Sequence, residues 1–292
     1  METLITLNKR PTSLYGRGVQ RFIKNPIGRF AGVLFFACLC IGIFANIVAP
    51  YSPNEMYRGS ELVAPNRVFF LGTDEFGRDL LSRIIFGMRM SLTVSFWAVI
   101  VGGIPGILSG LFTGYYSNSK ITSIVLRIWD GLLAFPFMLL AIVLAVMLGP
   151  GPLNAAIALG ILSVPQFSRI VRSTVLAEKE KDYILASVSM GVSHGRIIFK
   201  NIFPNVISPI LVQVTYAMGA AVALEAALSF IGLGVQPPSP SLGSMLNQSR
   251  KYLYQAWWYA VYPGVAVTLL LMSINWFSEV LMEALDPRSE LR

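Results

Sequence analysis

Few side chains in this sequence are equipped for covalent or acid–base chemistry. The chain has one histidine, His194, and two cysteines, Cys38 and Cys40. A single imidazole lacks a plausible partner for proton transfer. The two cysteines stand two residues apart in an apolar stretch, where a helix points them to different faces. They read as small buried hydrophobes rather than a disulfide or a metal site. The sequence contains no G-x-x-x-x-G-K-[ST] phosphate loop and no nucleophile elbow. Any step driven by ATP must therefore take place on another chain.

What remains is a small set of polar groups inside apolar segments, where they are costly and often functional. Arg127 and Asp130 lie three apart, a spacing that predicts a local ion pair. Glu225 stands alone in an apolar run between Ala223 and Ala226, small residues that permit close helix packing. It either lines a solute pathway or satisfies a neighbouring donor. Asn275 and Glu279 sit in the last apolar run, towards its polar end. Asp130, Glu225 and Asn275 are the candidates for a pathway.

The elements that position these groups are set by composition. Apolar residues make up 54% of the chain and charged residues 13%, against roughly 25% charged in a soluble domain. The apolar residues come in blocks of about 20, the length that crosses ~30 Å of hydrocarbon. Six spans are predicted, at 30–49, 87–115, 123–148, 153–171, 206–231 and 259–280, with bends expected near Pro105 and Pro165. The net charge of +8 is topological rather than a nucleic-acid surface. Lys9, Arg10, Arg17, Arg21, Lys24 and Arg29 all precede the first apolar block, and the longest internal basic stretch runs over 169–205. The positive-inside rule places both segments, and both termini, in the cytoplasm. The chain thus divides into a basic tail (1–29), a first span with a charge-balanced outer segment (30–86), a transmembrane core (87–283) and a short tail (284–292).

The cytoplasmic segment 178–204 is the most informative. A short helix starting in Glu178-Lys179-Glu180-Lys181-Asp182 places Tyr183, Ala186, Ser187 and Met190 at i, i+3, i+4 and i+7, on one face. Gly191 breaks it, Ser193 can cap a second helix carrying Ile197 and Phe199, and Pro204 separates that helix from the fifth span. On physical grounds this is either a docking knob for a soluble partner or an amphipathic helix on the inner membrane surface.

The run from Tyr183-Ile184-Leu185-Ala186-Ser187 through Gly191 to Arg196-Ile197-Ile198-Phe199-Lys200-Asn201-Ile202-Phe203-Pro204 resembles the coupling loop of ABC importer permeases. Leu185 stands where that loop usually has Glu, and Asn201 where His is frequent. Leu71-Gly72-Thr73-Asp74-Glu75-Phe76-Gly77-Arg78-Asp79, Glu225-Ala226-Ala227-Leu228-Ser229-Phe230-Ile231-Gly232 with Pro237-Pro238, and Ala284-Leu285-Asp286-Pro287-Arg288 are similar to the second permease of dipeptide, oligopeptide and nickel importers.

The resemblance implies an all-α integral membrane protein of type I ABC importer architecture in a bacterial or archaeal cytoplasmic membrane. Its partners would be a second homologous permease, two ABC ATPases that hold ATP and Mg, and an extracytoplasmic solute-binding protein. This chain would bind no cofactor itself. Tyr183, Ala186, Ser187, Met190, Gly191, Ile197, Phe199 and Pro204 would meet the ATPase. Gly72, Asp74, Gly77, Arg78, Asp79, Pro237 and Pro238 would meet the binding protein. The cargo classes implied are short peptides, nickel chelates, glutathione and opine-like solutes. A stand-alone carrier using Glu225 or Asp130 belongs to a different class, disfavoured because intramembrane charges are few and no repeat is present.

Overall fold

The computed structural model describes residues 26–285, and among them the chain is all-α apart from one isolated bridge between Thr73 and Asp79. The basic tail expected at 1–29 and the terminal Asp286-Pro287-Arg288 lie largely or wholly outside the described residues. An apolar helix α1 (Pro26–Ile43) continues into a short α2 (Ala45–Val48). An irregular outer segment then leads to the longest helix, α3 (Leu80–Tyr115). Next come α4 (Lys120–Leu133), α5 (Phe137–Leu148) and α6 (Pro152–Lys179). The short α7 (Asp182–Ser189) and α8 (His194–Arg196) precede α9 (Phe203–Ile231). An outer α10 (Leu242–Ser249) and a final α11 (Trp257–Leu285) complete the fold.

The described residues hold four helices long and apolar enough to cross a membrane, or five if α4 and α5 count as one broken span. Three boundaries differ from expectation, each for a physical reason. Helix α3 begins at Leu80 rather than 87, because Arg83, which reads as a loop charge, is buried in the first turn beside Asp74. Asp79 caps that turn by accepting from Ser82 N at 2.8 Å. The span predicted at 123–148 is not continuous: α4 and α5 meet at 95°. Pro136 sits at the break with ψ 122°, since a proline offers no amide hydrogen to the ladder and disfavours helix in the residue before it.

The third difference concerns Pro204, which does not separate two helices. A single helical path runs from His194 to Ile231. Residues Ile197–Ile202 form a π turn in which Phe203 N reaches back to Ile198 O. That wider turn ends where Pro204, in the first turn of α9, supplies no donor. Helix α6 likewise passes through Pro165 and extends to Lys179, eight residues beyond the predicted end at 171.

The tightest packing joins α3 to α6. Gly102, Gly106, Gly110 and Gly114 recur every fourth residue, which places them on one stripe of α3. A Cβ at Gly106 would stand 2.8 Å from Val164 O, one at Gly110 2.6 Å from Val171 Cβ, and one at Gly114 2.7 Å from Val175 Cβ. Without side chains in the way the two backbones approach closely, which is how helices associate in lipid. Replacing Gly110 with valine forces the helices apart. It is expected to cost about 1–3 kcal/mol and to lower the melting temperature of the assembled, detergent-solubilised transporter. Gly131, with open space around it, is the control: Gly131→Ala is expected to hold or raise stability in the same melt.

Candidate functional site

The end of the α3–α6 pair at Tyr115 and Lys179 carries the segment 178–204. Leu111, Tyr115, Val171 and Val175 form one buried cluster with Ile184, Ile197 and Ile202, so α7 and the π turn rest directly on the two long helices. Polar contacts fix the same junction. Lys179 Nζ donates to Tyr115 O at 2.8 Å, and Tyr115 Oη lies 2.7 Å from His194 Nδ1. Glu178 belongs to α6 rather than to the short helix, and it pairs with Lys181 at 2.7 Å while accepting from the Tyr183 hydroxyl. Asn205 Nδ2 in turn donates to Tyr183 Oη at 3.0 Å.

The predicted face of α7 is only partly the exposed one. Tyr183, Ala186 and Met190 are exposed, as are Phe199 and Pro204, but Ser187 and Ile197 are buried. Ser187 turns inward, donating to Tyr183 O at 2.8 Å and accepting from Asn201 Nδ2 at 3.4 Å. Leu185 and Val188, which the i, i+3, i+4, i+7 reading left out, are exposed instead. The turn after α7 depends on Gly191, whose φ of +73° is left-handed with open space around it.

The outer segment after α2 is held by buried charge. Asp74 accepts from Arg78 Nε at 2.6 Å and from the Phe76 and Arg78 amides at 2.9 and 3.0 Å, with Arg83 Nε at 3.2 Å. Arg83 Nη1 also donates to Pro53 O at 2.9 Å. Gly72 and Gly77 both have positive φ and closely packed neighbours. Gly72, Asp74, Gly77, Arg78 and Asp79 are all buried. Five of the seven residues predicted to meet a binding protein therefore fold the segment rather than form its surface. Pro237 and Pro238 are exposed, and so are Phe70, Phe76 and Trp257.

Glu225 is fully buried and lines no recess. It accepts from Ser91 Oγ at 2.5 Å, Ser229 Oγ at 2.7 Å and Ser241 Oγ at 2.9 Å, joining α3, α9 and the cap of α10. Its contacts are those of the donor-satisfying alternative. Asn275 lies against Gly219 of α9 and is absent from the lining of either recess described below. Asp130 does not pair locally with Arg127; its partner is Arg169 of α6, at 3.7 Å. Two recesses lie nearby. One, of about 300 Å³, is lined mainly by small and apolar groups, with Ser163, Gln166 and Tyr216. The other, of about 370 Å³, shares Gln166 and Tyr216 and adds Gln213 and Arg169. No group of three or more potential metal-ligating side chains occurs among the described residues.

Residues 106–290 match the family described as binding-protein-dependent transport system inner membrane component. The chain belongs to that family. It is a permease subunit of an ABC importer, and it is not itself the ATPase. It is 41% identical over 276 residues to the di/tripeptide transport system permease protein DppC of Pseudomonas aeruginosa, covering 92% of this chain and 90% of the relative. It is 38% identical to the dipeptide permease DppC of Escherichia coli K12, with 91% of each covered. The glutathione permease GsiD of Pectobacterium atrosepticum is 36% identical, with 92% and 89% covered. In fold, the permease is similar to the inward-facing MetNI methionine ABC transporter, with a TM-score of 0.55 and 19% identity over 71% of this chain and 96% of that one.

Two outcomes follow for the permease. Glu225→Ala leaves three buried hydroxyls without their acceptor and is expected to destabilise the subunit by about 2–4 kcal/mol. Glu225→Gln, which keeps one acceptor oxygen, is expected to cost less; unfolding in detergent measures both. At Tyr183, burial and then the bond to Glu178 push the phenol up to about 12. Because the folded value lies above the ordinary value of 10.0, the contribution of the neutral phenol is complete below pH 10 and lost as pH rises towards about 12. The melting-temperature difference between the parent protein and Tyr183→Phe is therefore expected to stay constant from pH 6 to 9.

Proposed function

We propose that this permease forms half of a translocation pathway for di- and tripeptides, with α7 and the turn at Gly191 as its coupling element to an ATPase. One observation carries the coupling assignment. An exposed apolar surface of Leu185, Ala186, Val188, Met190 and Phe199 sits beyond the polar ends of α6, while the same segment's buried side is locked to α3 and α6. Apolar groups at that position fit a pocket on a soluble partner, and a rigid seat transmits the partner's movement. Leu185 adds to the apolar surface, and Asn201 holds α7 from behind through Ser187. Both departures from the usual coupling loop are thus compatible with docking.

The same reading has six spans of type I arrangement, with α1 and α2 as the first and α4 with α5 as the third. The termini lie inside, and the domain boundaries are those of the predicted tails and core. A second homologous permease completes the pathway. Two ATPases hold ATP and Mg, and a binding protein meets the outer surface around Pro237, Pro238, Phe76 and Trp257. ATP binding draws the coupling elements together and opens the pathway outward as a rigid-body change. The peptide assignment rests on the dipeptide and di/tripeptide permeases among the relatives.

Gly191→Pro tests the coupling element, because proline cannot adopt φ +73°. In proteoliposomes containing the whole transporter, the variant is expected to assemble and hydrolyse ATP while moving at least about tenfold less dipeptide per ATP, a deficit of roughly 1.4 kcal/mol in coupling. Transport per ATP equal to that of the parent complex would remove α7 and its turn from the coupling path.

A further inference from the structure

The ionisable groups among the core helices differ sharply in their surroundings. Glu225 is enclosed by three serine hydroxyls, and Arg83 is buried against Asp74. Asp130 and Arg169 are the contrast. Their side chains are 71% and 70% exposed, and at 3.7 Å they only partly satisfy each other. Exposed charges on spanning helices are favourable only beside water, so this pair marks the wet side of the subunit. Arg169 lines the larger recess, and Gln166 and Tyr216 line both, so the two recesses adjoin across these side chains.

The chemistry changes along that cleft. At one end stand Arg169, Gln213 and Gln166. At the other stand Ala98, Phe137, Leu159, Ala217 and Leu224, with Ser163 as a polar group among them. Ligand sites are commonly recesses of roughly 300–1,000 Å³, mostly apolar, with a few converging polar groups. A guanidinium offers two parallel donors to a carboxylate, and primary amides offer both a donor and an acceptor to a peptide bond. Asp130 provides the opposite charge within reach of the same end.

We propose that this cleft is the subunit's contact site for a zwitterionic di- or tripeptide in transit. Arg169 takes the C-terminal carboxylate, Asp130 the terminal ammonium, Gln166 and Gln213 the peptide bond, and the alanine-lined recess an apolar side chain. The weak Asp130–Arg169 pair is then the resting state of the site, with each charge exchanging its partner for a peptide terminus. The inference rests on the peptide cargo proposed above, and it adds the residues that read that cargo.

The test uses the complete transporter with its binding protein in proteoliposomes. Alanyl-benzoylphenylalanine, a photoreactive dipeptide, is illuminated during ATP-driven uptake and its adducts are mapped by mass spectrometry. Adducts are expected within α6 and α9 at or beside Ser163, Gln166, Tyr216 and Ala217. In parallel, Arg169→Gln is expected to lower dialanine moved per ATP by about tenfold, with Arg169→Lys recovering part of the loss. If the parent complex imports neither dipeptide, the cargo reading fails and this inference with it. If uptake is normal but adducts fall elsewhere, or Arg169→Gln moves as much dialanine per ATP as the parent, the site is overturned and the cargo reading stands.

Discussion

The close approach of α3 and α6 along the glycine stripe is the constraint on which the rest of the subunit depends. In lipid, two helices gain little from hiding apolar side chains, so association requires backbones near enough for dispersion contacts to accumulate. Gly102, Gly106, Gly110 and Gly114 make that possible over three turns. Every other feature is attached to the resulting rod. Its outer end starts at the Asp79 cap, next to the Asp74–Arg78–Arg83 network. Its inner end carries Tyr115 and Lys179, on which the coupling segment rests.

Buried charge in this subunit is mostly a fastening device. Asp74 draws two arginines and two backbone amides into an otherwise irregular loop and gives it one conformation. Glu225 does the same for three helical elements by collecting serine hydroxyls. In both cases the cost of burying a carboxylate is offset because hydrogen-bond donors converge on it. The pair left open to solvent, Asp130 with Arg169, is on the cleft side. Exposure separates the fastening charges from this pair, and the residue types alone do not.

The coupling segment combines the two behaviours. Its inward side is an apolar seat, with Ile184, Ile197 and Ile202 packed on α3 and α6 and Ser187 hydrogen-bonded to Asn201 beside them. Its outward side is apolar, through Leu185, Val188, Met190 and Phe199. A helical-face reading chose Ser187 and missed Leu185 because Ser187 is buried against Asn201 while Leu185 is exposed. The reading assumed that the exposed face was a docking stripe of regular period. The bonds of Ser187 to Tyr183 O and Asn201 rotate that stripe by about one residue.

Several properties follow from the sequence alone. Apolar runs of spanning length make it a membrane protein, since such segments are stable only in hydrocarbon. Three ordered motifs point to its family, and membership of that family makes it the permease rather than the ATPase. Tertiary structure alone decided which polar groups are enclosed and which are open. Burial of Arg83 moved the start of α3, Pro136 broke a span that hydropathy reads as continuous, and three serine hydroxyls came to enclose Glu225. It also brought Asp130 to Arg169 and placed Gln166, Gln213 and Tyr216 around one cleft. These outcomes depend on contacts between residues far apart in the chain, whereas hydropathy and motif spacing report only on neighbours.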